Sequence, residues 1–211
     1  MNYKTTENKY ETQGNTTLIT ILKKNNTELT VKIDTEDVEK VQAMGTWFAE
    51  WHKDFNNYLA QNLTVTKVDK KIKSEKRNMQ SIILDCSNNA PIKHINGDTL
   101  DNRKCNLEMV NRREKNEYEE IDEDTIAIIL KDRYGKAQAK ALISPRDLEK
   151  VVTKKYTWTY QKGYKQPQVI AHTPKGKVTL GEVIMKPAEG MRVHHINLNP
   201  LDNRRKNLEN K

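Results

Sequence analysis

Two stretches of the chain carry the residue types from which chemistry could be built, and they match without a gap. The first runs from His94 to Glu108, His-Ile-Asn-Gly-Asp-Thr-Leu-Asp-Asn-Arg-Lys-Cys-Asn-Leu-Glu. The second runs from His195 to Glu209, His-Ile-Asn-Leu-Asn-Pro-Leu-Asp-Asn-Arg-Arg-Lys-Asn-Leu-Glu. They agree at His94/His195, Ile95/Ile196 and Asn96/Asn197, along Leu100–Arg103 against Leu201–Arg204, and at Asn106/Asn207, Leu107/Leu208 and Glu108/Glu209. Histidine titrates nearest neutral pH, so a neutral imidazole can exchange a proton under ordinary conditions. Either histidine alone is accounted for by turn chemistry, because Asn and Asp side chains bond their own backbone. Two in matching frames point to a duplicated site. The basic groups Arg103-Lys104, Arg112-Arg113 and Arg204-Arg205-Lys206 fit phosphate contacts.

The repeated motif resembles the HNH nucleases, particularly the phage-type and homing endonucleases, whose signature reads Val-(Asp or His)-His-Ile-Asn-Gly, then Asp-Asn-Arg, then Asn-Leu. The resemblance covers most of the chain. It implies a strand, loop, strand, helix fold around one divalent metal, Mg²⁺ or Mn²⁺, and hydrolysis of DNA phosphodiesters. By position the general base would be His94 in the first copy and His195 in the second, taking a proton from the attacking water. The metal would stabilise charge on the phosphorus and the leaving oxygen. Asn106 and Asn207 would bond across the loop and orient the histidine.

Two family positions hold the metal: the residue before the base, and an Asn or His on the trailing helix. The first copy has Lys93 and Asn116 there, and the second has His194 and is expected to be truncated before its last helix. A protonated lysine has no lone pair for a metal. Its +1 charge about 4 Å from a +2 ion would cost roughly 8 kcal/mol at an effective dielectric of about 20. The resemblance therefore makes His194 and His195 the better-equipped pair, and leaves neither copy with the family's full ligand set.

The elements that must position these residues are also duplicated. Thr16-Thr-Leu-Ile-Thr-Ile-Leu-Lys is echoed by Asp124-Thr-Ile-Ala-Ile-Ile-Leu-Lys, Asp37-Val-Glu-Lys-Val by Asp147-Leu-Glu-Lys-Val, and Thr46-Trp47 by Thr157-Trp158. The fold class expected is α+β. It comprises two tandem units, each a small antiparallel sheet with a short helix followed by an HNH-like ββα motif. Thr16 to Ile33 reads as a hairpin, Asp34 to Val41 as a helix capped by Asp34 or Thr35, and Trp47, Phe48 and Trp51 as aromatic core. Asn62 to Arg77 reads as a strand pair whose turn carries Lys70, Lys71, Lys73, Lys76 and Arg77, a charge cluster that a solvated loop tip also explains.

Met109 to Ile121 reads as the trailing helix, with Asn111 as its cap, and the acidic run from Glu117 to Asp124 as the junction. The division expected is a flexible tail over 1–15, a first unit over 16–121 and a second over 122–211. The small sheet ahead of each motif is similar to the three-stranded DNA-reading module of many phage HNH proteins. That likeness would place the sheet in a major groove, with Lys154, Lys155, Lys162 and Lys165 at phosphates.

Composition bounds the partners. Lys plus Arg number 37 against 29 Asp plus Glu, a formal charge of +8, which favours an anionic partner. Nucleic acid is favoured over membrane because no long apolar or amphipathic segment accompanies the charge. The 2 cysteines, Cys86 and Cys105, form no Cys-x-x-Cys pair, and free thiols suit a reducing cytoplasm. No secretory signal pattern opens the chain. The leading expectation is a cytoplasmic protein that binds double-stranded DNA and cleaves it with a divalent metal. The alternatives are a catalytically degenerate HNH protein acting as a DNA-binding regulator, and an accessory factor with a protein partner.

Overall fold

The computed structural model describes residues 2–68, 71–163 and 167–211. Lys70, the side chains of Lys71 and Lys73, and Lys165 lie outside the described residues. The fold is mixed α+β, mostly strands with a few short helices. The chain divides into two units, Met1–Met109 and Val110–Lys211.

In the first unit, β1 (Lys9–Gln13), β2 (Thr16–Leu22) and β3 (Glu28–Asp34) form antiparallel pairs. The period of two puts Thr17, Ile19 and Ile21 on one face of β2, where they are buried with Val31 and Ile33 of β3. Residues 9–13, expected in a tail, are a strand. All but Tyr10 are exposed there, so no apolar alternation marked it in the sequence. A 3₁₀ turn, Thr35–Asp37, runs into α1 (Val38–Gln42). Asp34 does not cap it through its side chain; the carboxylate instead accepts the backbone N–H of Lys104 at 2.7 Å.

The antiparallel strands β4 (Trp47–His52), β5 (Asn57–Val68) and β6 (Lys71–Asn78) join the hairpin through a parallel pairing of Leu22 with Phe48, completing a six-stranded sheet. Trp47 and Phe48 are buried, whereas Trp51, expected in the core, is 51% exposed. It shares a face with Trp47 and Ala49 but lies past the end of the apolar cluster, with its ring edge-on to Tyr58 at 5.2 Å. Then come α2 (Met79–Ile83) and the motif strands β7 (Ile92–His94) and β8 (Leu107–Met109), which pair antiparallel.

The second unit repeats the plan. Its strands β9 (Tyr118–Asp122), β10 (Thr125–Lys131) and β11 (Ala137–Ile143) precede a 3₁₀ turn, Pro145–Asp147, and α3 (Leu148–Val151). A three-stranded sheet follows, β12 (Thr159–Gln161), β13 (Gln168–Thr173) and β14 (Gly176–Thr179), then α4 (Leu180–Met185) with a Thr179/Glu182 capping box. The motif supplies β15 (Val193–His195), β16 (Asp202–Asn203) and β17 (Leu208–Asn210).

The two units use the same internal polar pins. Trp47 Nε1 donates to Val41 O at 2.9 Å, and Trp158 Nε1 to Val151 O at 2.8 Å. Lys40 Nζ donates to Ile83 O at 3.2 Å, and Lys150 Nζ to Ile184 O at 2.7 Å.

The helix expected over Met109–Ile121 is absent. Residues 110–117 form turns and irregular chain, and Tyr118–Asp122 is strand β9 on the edge of β10. That stretch has no apolar stripe, so a helix would bury little, whereas extension gains ladder hydrogen bonds. Its acidic side chains lie on an exposed edge strand, where charge deters pairing with other chains. The acidic run is thus part of the second unit's sheet and not a junction. Asn116 is buried. Its Nδ2 donates to Ile129 O and Trp158 O, both at 2.9 Å, and its Oδ1 accepts from Trp158 N at 2.7 Å. In the first unit Asn8 Nδ2 donates to Thr20 O at 3.0 Å and Trp47 O at 2.8 Å, and its Oδ1 accepts from Trp47 N at 2.7 Å. Each unit therefore opens on an asparagine clasp, and the division falls before Val110, where the sequence pattern had placed it after Ile121.

Candidate functional site

Each motif loop is organised by a carboxylate and two asparagines. Asp101 and Asp202 are 1% and 3% exposed. Arg103 grips Asp101 with Nε at 2.8 Å and Nη2 at 2.6 Å; Arg204 grips Asp202 at 2.8 Å and 2.7 Å. Such forked, charge-assisted pairs hold both carboxyls below their usual range and keep them ionised. Asn96 Nδ2 donates to Asp101 and Asn197 Nδ2 to Asp202, each at 3.0 Å. Asn106 and Asn207 accept the backbone N–H of Asn96 and Asn197 at 2.9 Å and 2.8 Å, and donate to the carbonyls of Asp101 and Asp202 at 2.7 Å and 2.8 Å. They bond across the loop.

The loop docks on its own unit's hairpin. Lys32 N donates to Leu100 O at 2.9 Å and Asn102 N to Lys32 O at 2.8 Å, while Leu142 N donates to Leu201 O at 2.7 Å. Gly97 sits at φ 77, a left-handed turn suited to glycine, and Leu198 holds the matching place at φ 60.

His94 and His195 end β7 and β15, each with Nε2 at 3.2 Å from an amide oxygen, of Asn102 and Asn203 respectively. An amide oxygen only accepts, so the nitrogen facing it carries the hydrogen, and Nδ1 keeps the basic lone pair in the neutral ring. His94 Nδ1 is buried, with no hydrogen-bond partner among the described residues. Phe55 stands edge-on to the His94 ring at 6.2 Å. Burial pushes the His94 imidazole below its ordinary pKa, against the opposing pull of Asn102, Asp98 and Asp101. His195 is only half-buried, so of the two it has the freer access to water.

The residue before each histidine points away from it, as strand alternation requires. Lys93 lies opposite Glu108 and pairs with it at 2.9 Å; His194 lies opposite Glu209 and is exposed. The charge of Lys93 is therefore answered on the far face of the hairpin and does not bear on His94. By the same geometry His194 and His195 do not converge, and Asn116 is committed to its clasp. The motif carboxylates Asp101 and Asp202 are engaged by arginine. Among the described residues no three His, Cys, Asp or Glu side chains are grouped to hold a metal ion.

The basic residues divide into two classes. Lys104 pairs with Glu36 at 2.6 Å and Asp37 at 3.0 Å, and Arg205 grips Asp147 at 2.9 Å and 2.7 Å; with Arg103 and Arg204 these are answered within their own unit. Lys206 is exposed. Arg112, Arg113, Lys154 and Lys155 are also exposed, and none has an ion pair among the described residues. Thr157 Oγ1 donates to Glu114 O at 3.0 Å, which fastens the loop carrying Arg112, Arg113 and Lys115 beside the segment carrying Lys154 and Lys155. Of the two carboxylates in that loop, Glu114 accepts from Asn111 Nδ2 at 3.2 Å and Glu117 pairs with Lys131 at 2.7 Å. In the sequence the only signal of the roles of Asp101 and Asp202 is their identity in both copies, two residues before an arginine. The Thr157 to Glu114 bond had no sequence signal.

Comparison with known proteins finds no matching family model, no matching curated protein and no matching solved structure.

Proposed function

We propose that this chain binds double-stranded DNA through the basic cluster of its second unit, on a scaffold of two HNH-like units that does not cleave the backbone. The observation that carries the reading is the bond from Thr157 to Glu114, which fastens the loop carrying Arg112, Arg113 and Lys115 to the segment carrying Lys154 and Lys155, none of them ion-paired among the described residues. Cations already forked to carboxylates release few counterions on meeting phosphate, and unanswered ones release the most. Against cleavage stand the divergence of His194 from His195, the clasped Asn116 and the buried lone pair of His94.

The test is fluorescence anisotropy of the full chain on a labelled duplex across a salt series. Five phosphate contacts give a log–log slope of about −4.5, a loss of several hundredfold in affinity between 50 and 200 mM salt. Replacing Arg112, Arg113, Lys154 and Lys155 by alanine should flatten that slope by about 3.6. Affinity that ignores salt would remove the reading. Supercoiled plasmid incubated with Mg²⁺ or Mn²⁺ should stay intact. Nicking that EDTA abolishes and His195→Ala removes would restore the endonuclease reading in its place.

A further inference from the structure

Leu198 is the most exposed large apolar side chain among the described residues, at 83%, and its backbone sits at φ 60, where bulky L residues are rarely found. Its counterpart Gly97 has the same turn at φ 77, and a Cβ added there would meet nothing within 4 Å. Leucine at this place therefore gains no burial and strains the backbone, while the sister loop holds glycine at no such cost. Strain that folding does not explain points to a contact outside the fold.

Two residues earlier Ile196 is 59% exposed, and Ile95 in the first loop is 60% exposed. Three hydrogen bonds brace the backbone of the second loop. Leu198 N donates to His195 O at 3.0 Å, Asn199 N to Asn197 Oδ1 at 2.9 Å, and Leu201 N to Asn199 Oδ1 at 3.1 Å. Arg192, His194 and Lys206 are exposed in the same motif and have no ion pair among the described residues.

We propose that Leu198, with Ile196 beside it, is an apolar wedge that enters between stacked base pairs of duplex DNA; this rests on the DNA-binding reading above. A specific protein partner would need about 800 Å² from each side, far more than two side chains supply. The base stack is the one broad apolar surface of DNA, and a single leucine on a fixed loop is enough to part a step once flanking cations hold the phosphates. Arg192 and Lys206, exposed in the same motif, are the residues this proposal assigns to that role. The wedge distinguishes the two units, since the first loop carries glycine where the second carries leucine.

The experiment uses the full chain and duplexes with 2-aminopurine placed within TA steps, the most easily unstacked. Emission reports parting of the step, anisotropy reports binding, and thermal unfolding reports the fold. Wild type should raise emission about twofold or more at a TA step, and L198G should abolish the rise while keeping affinity within about tenfold. L198G should unfold at the same temperature as wild type or higher, because glycine relieves the strained φ. A lowered unfolding temperature would make Leu198 a folding residue and overturn the wedge. Emission that stays flat for wild type, or rises equally for L198G, would overturn it too, with binding by anisotropy leaving the DNA reading in place. Absence of any anisotropy change at low salt would defeat that reading, and the wedge with it.

Discussion

His94 and His195 hold the same bond to an asparagine oxygen, yet they sit in different solvents. His94 is buried as a neutral ring with a depressed pKa. An unfolded chain takes up that proton near pH 6.5, whereas the folded chain resists it, so below pH 6.5 the unfolded state binds more protons and stability falls as pH falls. The contribution is thus complete above the unfolded value and is lost on acidification towards the lowered folded value. Scanning calorimetry of the full chain should show unfolding temperatures declining from pH 7 to pH 5, with His94→Gln reducing the slope. An unchanged slope in that variant would assign the decline to other groups. Asp101 and Asp202 act further down, because their pKa values are lowered by arginine. Their contribution stands above the ordinary carboxylate range and is lost only below it.

The clasp is the feature of the elements that most clearly separates support from chemistry. Asn116→Ala would leave Trp158 N and the carbonyls of Ile129 and Trp158 without partners in a buried place, at about 2–4 kcal/mol of stability in the second unit. Denaturant unfolding of this variant checks the size of the loss, and a variant as stable as wild type would contradict the clasp. Much of the architecture was legible in advance: the Thr16–Ile33 hairpin announced itself by alternation, and the paired Trp47 and Trp158 by their echo. What stayed hidden had no apolar periodicity to reveal it. β1 and β9 are exposed edge strands, and Asn8-Lys-Tyr-Glu against Asn116-Glu-Tyr-Glu is a short polar echo that reads as ordinary loop composition. The motif histidines and asparagines were legible as residues. Which way they face depends on strand register, which is why Lys93 and His194 turned out to lie across the hairpin from the sites assigned to them.

For the whole molecule the clasp sets what can be cut apart. A fragment spanning 110–211 keeps Asn116 and β9, and should give a cooperative thermal transition. A fragment spanning 122–211, the division suggested by charge, loses both and should not fold cooperatively; circular dichroism melts distinguish the two, and equal behaviour would place the true boundary later. The docking of the first motif loop on its own hairpin has a further consequence, in the timing of synthesis. Lys104 meets Asp34 across 70 positions of chain. At about 5–20 residues per second, the ribosome needs roughly 4–14 s to make the second partner after the first. For that interval the nascent hairpin carries β3 without the loop that will cover its edge, so each new molecule passes through seconds of sticky half-completion before it can close.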